Sequence, residues 1–203
     1  MSDSIENRKS KIENRPGRLI VISGPSGVGK STVTRQVLER TGAMFSISAT
    51  TRQPRAGEQN GREYHFVDVP TFQRMIAENA LLEWAEVFGH YYGTPAQPVK
   101  DALAQGQCVV LEIDVQGGIQ VAKRCPDAAM ILITPPDAAT LAQRLAGRAT
   151  DAPEVIARRL AKAQAEMNLA RESGVYKYEV VNRDLPEAVA EVLNIIAQEI
   201  ASA

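Results

Sequence analysis

The sequence predicts an α/β protein: a parallel β-sheet core with helices on both faces. Three observations carry this. Apolar strand runs alternate with helix patterns from Arg18 to the end of the chain. The glycine-rich stretch Gly24-Pro25-Ser26-Gly27-Val28-Gly29-Lys30-Ser31 lies between a buried strand and a helix. Two polar segments, residues 49–92 and 147–151, break the alternation and leave the rest regular.

Taken in order, Leu19-Ile20-Val21-Ile22 gives a strand over about 18–23, entered through Pro16-Gly17. A helix follows over 30–40 and a second strand over 44–48. Short helices are expected over 71–79 and 95–105, then a strongly apolar strand over 108–114 that ends in acid. A helix over 118–124, a strand over 129–134 and a helix over 137–146 continue the alternation. The helix over 152–171 has Asp151 as its cap, Pro153 in its first turn and Glu154 three residues after the cap. A strand over 176–181 precedes the last helix, 186–201, whose apolar face is expected to be Val189, Val192, Leu193, Ile196 and Ile200.

The bulk numbers narrow the class. A chain of 203 residues is long enough for one substantial domain carrying small insertions. A formal net charge of -1 supplies no global field for a nucleic acid backbone or an acidic membrane, so any anion site is local. No apolar run approaches a membrane span, and residues 1–15 are polar, read as a mobile tail. The two cysteines, Cys108 and Cys125, share no metal-ligand spacing and read as reduced. A cytoplasmic protein without nucleic acid or membrane partners is expected. His65 and His90 have no paired ligand and read as structural or exposed.

The glycine-rich stretch fits G-x-x-x-x-G-K-[ST], the phosphate-binding P-loop. Backbone N–H groups from Gly24 through Thr32 are expected to close around phosphate oxygens at a helix N-terminus, where the helix dipole favours negative charge. Lys30 would reach the outer phosphates and the Ser31 hydroxyl would hold Mg²⁺. The ligand is then a nucleoside triphosphate, though the motif does not say what is done with it. A GTPase would carry Asn-Lys-x-Asp, which Asn182-Arg183-Asp184 does not match.

A second anion site is suggested by Ser46-Ile47-Ser48-Ala49-Thr50-Thr51-Arg52-Gln53-Pro54-Arg55, followed by Tyr64. Two arginines three apart, beside hydroxyls, in a segment kept extended by Pro54, suit a phosphate gripped by parallel hydrogen bonds. On composition alone a solvated basic loop explains them equally well.

These segments, with Leu82-Glu83-Trp84, Tyr91-Tyr92-Gly93-Thr94 and Ile113-Asp114-Val115-Gln116-Gly117, resemble the guanylate kinases in order and approximate spacing, over nearly the whole chain outside the tail. The resemblance implies a core with an inserted GMP-binding subdomain, about 48–95, and a small lid, about 144–160. It implies that Ser48, Arg52, Arg55, Tyr64 and Tyr92 hold the GMP phosphate, and that Glu83 and Thr94 contact the guanine. A carboxylate suits guanine, whose N1–H and 2-amino group are adjacent donors that adenine lacks. dGMP is expected to serve as well.

Strand alternation places Glu112 and Asp114 on one side, at the ligand-facing end of a parallel strand. Asp114 would hold Mg²⁺ through water or orient the attacking GMP phosphate; the alternative is a carboxylate spent on backbone donors. Glu112, longer than the Asp of some relatives, is placed with the GMP site. Arg144, Arg148 and Arg159 correspond to lid arginines that close over the triphosphate, Arg158 reads as solvated, and Asn182 corresponds to a position near the adenine. Two rival readings stay open. One is a peptide-binding guanylate-kinase-like scaffold, against which the intact Lys30 and Ser31 argue. The other is a P-loop kinase of a phosphorylated sugar, against which Glu83 and Thr94 argue.

Overall fold

The computed structural model describes residues 17–146 and 153–202. The tail expected over 1–15, Arg148 and the interruption at 147–151 lie outside the described residues.

A five-stranded parallel sheet forms the centre, built from β1 (Leu19–Ser23), β2 (Met44–Phe45), β7 (Val109–Glu112), β8 (Ala129–Thr134) and β9 (Tyr178–Val181) in the order β2-β7-β1-β8-β9. Its helices are α1 (Lys30–Thr41), α3 (Ala96–Ala104), α4 (Val115–Arg124), α5 (Ala138–Ala146), α6 (Pro153–Ser173) and α7 (Leu185–Ala201). The remaining helix, α2 (Val69–Ala77), belongs to the first polar interruption. Every residue of β1 is buried, because helices cover both faces. Ile20 and Ile22 pack with Val33, Val37, Val189, Val192 and Ile196 of α1 and α7. Leu19 and Val21 point the other way, toward Val99, Ala102 and Val121 of α3 and α4. The chain runs from β1 to β2 in one direction and from β7 to β8 in the other. The carboxyl ends of the adjacent strands β1 and β7 therefore form a switch point, the place where open α/β sheets bind ligands.

The polar interruption holds a second sheet that the strand–helix alternation does not predict. Here β3 (Ala49–Thr50), β4 (His65–Phe66), β5 (Leu81–Val87) and β6 (His90–Pro95) lie in the order β4-β3-β6-β5. The strand expected over 44–48 is shorter: β2 ends at Phe45, Ser46 N still donates to Val110 O of β7 at 3.0 Å, and Ala49 already pairs with Gly93 in the second sheet. A small core of Ala49, Phe72 and Leu81 supports the second sheet, with Tyr91 stacked on Phe72 at 5.4 Å. Among the described residues no helix is long and apolar enough to cross a membrane.

The last helix corrects one expectation. Ile200 is exposed, while Ile195 and Glu199 turn inward. The carboxylate of Glu199, 1% exposed, takes hydrogen bonds from Arg18, from Lys177 Nζ at 2.7 Å and from the Tyr178 hydroxyl at 2.5 Å. Burial alone would raise its pKa, but these donors outweigh burial and hold it down at about 2, against an ordinary 4.5. A depressed carboxylate stabilises the fold in full above about pH 4.5 and loses that contribution as pH falls toward 2. Glu199→Gln should cost about 3 kcal/mol at pH 7 and nothing near pH 2, read by urea unfolding at both pH values.

Candidate active site

The phosphate loop closes onto the N-terminus of α1 without a side-chain cap, whereas Asp68, Asp114 and Asp184 cap α2, α4 and α7. Gly29 takes that position with φ +93°, and a Cβ there would stand 2.6 Å from Asn182 Nδ2. The first N–H groups of α1 are thus left without a side-chain acceptor, as an anion site requires. The cavity over the loop, about 360 Å³, is lined by Gly24, Ser26, Gly27, Gly29, Lys30, Ser31 and Thr32. Across it stand Glu112, Asp114 and the α6 residues Lys162 and Glu166. Pro25 and Val28 complete the loop; Val28 is buried and its carbonyl accepts from Asn182 Nδ2 at 2.7 Å. Asn182 thereby braces the loop from beneath.

Lys30 curls back to donate to Gly24 O at 2.6 Å and Pro25 O at 3.0 Å. Burial lowers its pKa, and the nearby carboxylates of Glu112, Glu166 and Asp114 partly oppose that. Ser31 Oγ donates to Glu112 Oε1 at 2.5 Å. It is therefore Glu112, rather than Asp114, that stands beside the Ser31 hydroxyl. Asp114 Oδ1 accepts from Gly117 N at 2.8 Å as the cap of α4, which spends one of its oxygens on the backbone. Arg144 donates to Asn182 O at 2.8 Å, anchoring α5 to the end of β9. Arg159 lines an adjoining cleft with Arg158, Val155, Ala163 and the almost fully exposed Phe88, which stands at the β5–β6 turn; Ser26, Lys162 and Glu166 line both this cleft and the cavity over the loop.

The second sheet forms a cavity of about 250 Å³ whose wall includes Ser48, Tyr64, Glu83, Tyr92, Glu112 and Asp114. Glu112 and Asp114 line both cavities, so the two open onto each other at the end of β7. Glu83 is 6% exposed and accepts from Thr94 Oγ1 at 2.6 Å. Burial pushes its pKa up to about 7, with Asp114 adding to the rise and the Thr94 hydrogen bond opposing it. Its other oxygen approaches Gly117, where a Cβ would come within 2.8 Å of Oε2.

Neither Arg52 nor Arg55 lines these two cavities. The Arg52 guanidinium lies over the Tyr64 ring, 5.4 Å from its centre, and its fork binds both oxygens of Glu58 at 3.0 Å. Arg55 is exposed, and its backbone N–H donates to Glu58 Oε2 at 2.7 Å. Sequence reasoning gave Glu58 no role; a turn at 56–57 brings it back to Arg52, and no helix or strand joins the two. Glu166 and Lys162 were also missed, because only the packing of α6 on the phosphate loop brings them to the cavity.

A phosphate loop opening onto a second cavity with a buried carboxylate, at the switch point of a parallel sheet, defines a P-loop phosphotransferase with a small-molecule acceptor. The family model for guanylate kinase matches residues 16–199. A guanylate kinase of Synechocystis sp. is 50% identical over 184 residues, covering 90% of this chain and 95% of that protein. One from Gloeobacter violaceus is 51% identical, covering 90% and 88%. The crystal structure of guanylate kinase from Anaplasma phagocytophilum superposes with a TM-score of 0.73 at 31% identity, covering 93% of this chain and 88% of that one. The chain belongs to the guanylate kinase family. A gluconokinase from Sinorhizobium meliloti, 20% identical with a TM-score of 0.53, shares the fold alone.

Proposed function

We propose that the chain moves the γ-phosphoryl group of ATP onto GMP, giving ADP and GDP, and accepts dGMP as well. The observation that carries this reading is Glu83. It is a buried carboxylate beside Thr94, in a cavity that opens onto the phosphate loop through Glu112 and Asp114. Its two acceptor oxygens match the adjacent N1–H and 2-amino donors of guanine. Ser48, Tyr64 and Tyr92 would meet the GMP phosphate, with Arg52 and Arg55 supplying positive charge from behind once the insertion, about 48–95, folds inward. The lid over about 144–160 would bring Arg144, Arg148 and Arg159 toward the triphosphate, and the region of Asn182 would flank the adenine.

The donor set fits Mg²⁺. Ser31 Oγ and Glu112 are hard oxygen ligands 2.5 Å apart, with Asp114 on the same cavity wall. Among the described residues there is no cage of three or more His, Cys, Asp or Glu. That suits an ion that takes most of its ligands from phosphate and water. When bound, the ion would neutralise charge on the phosphate oxygens. No general base is needed, because a GMP phosphate oxygen is already anionic. The protein's part is alignment, charge and exclusion of water. We place this reaction in the cytoplasm, in purine nucleotide metabolism.

A coupled ADP-release assay with GMP, dGMP, AMP and ribose 5-phosphate tests the proposal. GMP should exceed AMP by on the order of 10²-fold or more in kcat/KM. Absence of GMP-stimulated release would favour the peptide-binding scaffold. Equal use of the sugar phosphate would defeat the guanine assignment.

A further inference from the structure

The second sheet ends on an open edge, β5, and one helix of the core grips that edge. The stripe Gly117, Gln120 and Arg124 runs along a single face of α4. Gln120 Oε1 accepts from Trp84 N at 3.2 Å, and Gln120 Nε2 donates to Trp84 O at 3.0 Å. The side-chain amide thus takes the place of a peptide on a neighbouring strand, and the two partners fix which end of the amide faces which. Arg124 donates to Leu81 O. Between these ties sits Glu83, its Oε2 facing Gly117 and its Oε1 held by Thr94.

We infer that Gln120 is a positioning residue for guanine recognition, fixing the backbone beside Glu83 so that the carboxylate presents both oxygens to the base in one plane. The inference rests on the reading of Glu83 as the base-recognising group. Two parallel hydrogen bonds to adjacent donors need the carboxylate plane and the strand bearing it held together. Thr94 restrains one oxygen only. The amide of Gln120 restrains the main chain one residue away, and it does so from the core, which also carries the phosphate loop. Base recognition is thereby referenced to the site of phosphoryl transfer, and the inserted sheet is not left to orient the base alone. Loss of the tie should weaken the geometry-dependent second hydrogen bond more than overall nucleotide binding.

Inosine monophosphate, which lacks the 2-amino group, reads that second bond. Gln120→Met keeps length and burial but removes both hydrogen bonds. The preference for GMP over inosine monophosphate in kcat/KM should fall about tenfold. The change should appear in the KM for GMP, with the KM for ATP unchanged. Gln120→Glu keeps an acceptor for Trp84 N–H but turns a carboxylate oxygen toward Trp84 O, so the preference should fall at least as far; it decides the matter if the Met variant does not fold. A folded variant with an unchanged preference, or with equal losses toward both nucleotides, overturns the inference. Glu83→Gln, run alongside, separates the two levels. If that variant abolishes the preference while Gln120→Met leaves it intact, only the role of Gln120 fails. If neither variant alters it, the assignment of Glu83 fails as well.

Discussion

Lys30→Ala is expected to lower kcat for GMP-dependent ADP release by about 10²- to 10³-fold, with little change in GMP affinity. The asymmetry follows from where the ammonium sits. It lies in the phosphate-loop cavity, on the far side of Glu112 and Asp114 from the cavity that holds Glu83. It donates to the carbonyls of Gly24 and Pro25. A triphosphate offers better acceptors, and the negative charge spreading over the transferring group favours the ammonium most in the transition state. Burial penalises the charged form, but the surrounding carboxylates oppose that penalty. The variant also loses two hydrogen bonds to the loop, so its thermal midpoint must be recorded beside the kinetics. Turnover within threefold of the parent in a folded Lys30→Ala protein would remove the phosphate loop from the mechanism.

The parallel core was readable because its signals are local. Leu19 to Ile22 has β-branched and apolar residues on both faces, and the loop after it is contiguous in sequence. The second sheet was hidden for physical reasons. Two of its strands, β3 and β4, are two residues long, too short to show a period. Its main hairpin turns at Phe88-Gly89, with φ +52° at Phe88, where a bulky residue gives no warning of a tight turn. The contiguous loop residues come together as the motif suggested, and Glu83 and Thr94, linked beforehand only by the family resemblance, meet because β5 and β6 set them directly opposite. The arginines do not follow so simply. Arg52 is taken up by Glu58 and Arg144 by the carbonyl of Asn182, partners that no local pattern announces. The inward turn of Glu199 has the same origin: three donors from other elements outweigh the apolar preference of a buried helix face.

Glu83→Gln should lower kcat/KM for GMP by about 10²- to 10³-fold, and the pH dependence of binding should change with it. A carboxylate accepts from both guanine donors; an amide accepts from one and turns its own N–H groups toward the other. In the free protein burial raises the Glu83 pKa to about 7, so near neutral pH a substantial fraction carries a proton that GMP must displace. GMP affinity should therefore rise with pH up to about 7 and level off above it. Stability moves the opposite way. A carboxyl whose pKa is raised on folding contributes most below its ordinary 4.5, and that contribution drains away as pH rises through 7. The nucleotide-free protein should thus lose on the order of 3 kcal/mol across that window, and saturating GMP should restore part of it. The GMP phosphate itself titrates near pH 6, which alone would weaken binding in acid. Calorimetric titration of both proteins from pH 5.5 to 8.5 separates the two effects. The slope that survives in Glu83→Gln belongs to the phosphate, and the part that vanishes belongs to the buried carboxyl. Identical slopes in the two proteins would mean that GMP displaces no proton from Glu83; an unchanged kcat/KM for GMP in Glu83→Gln would mean that the base is read by something other than Glu83.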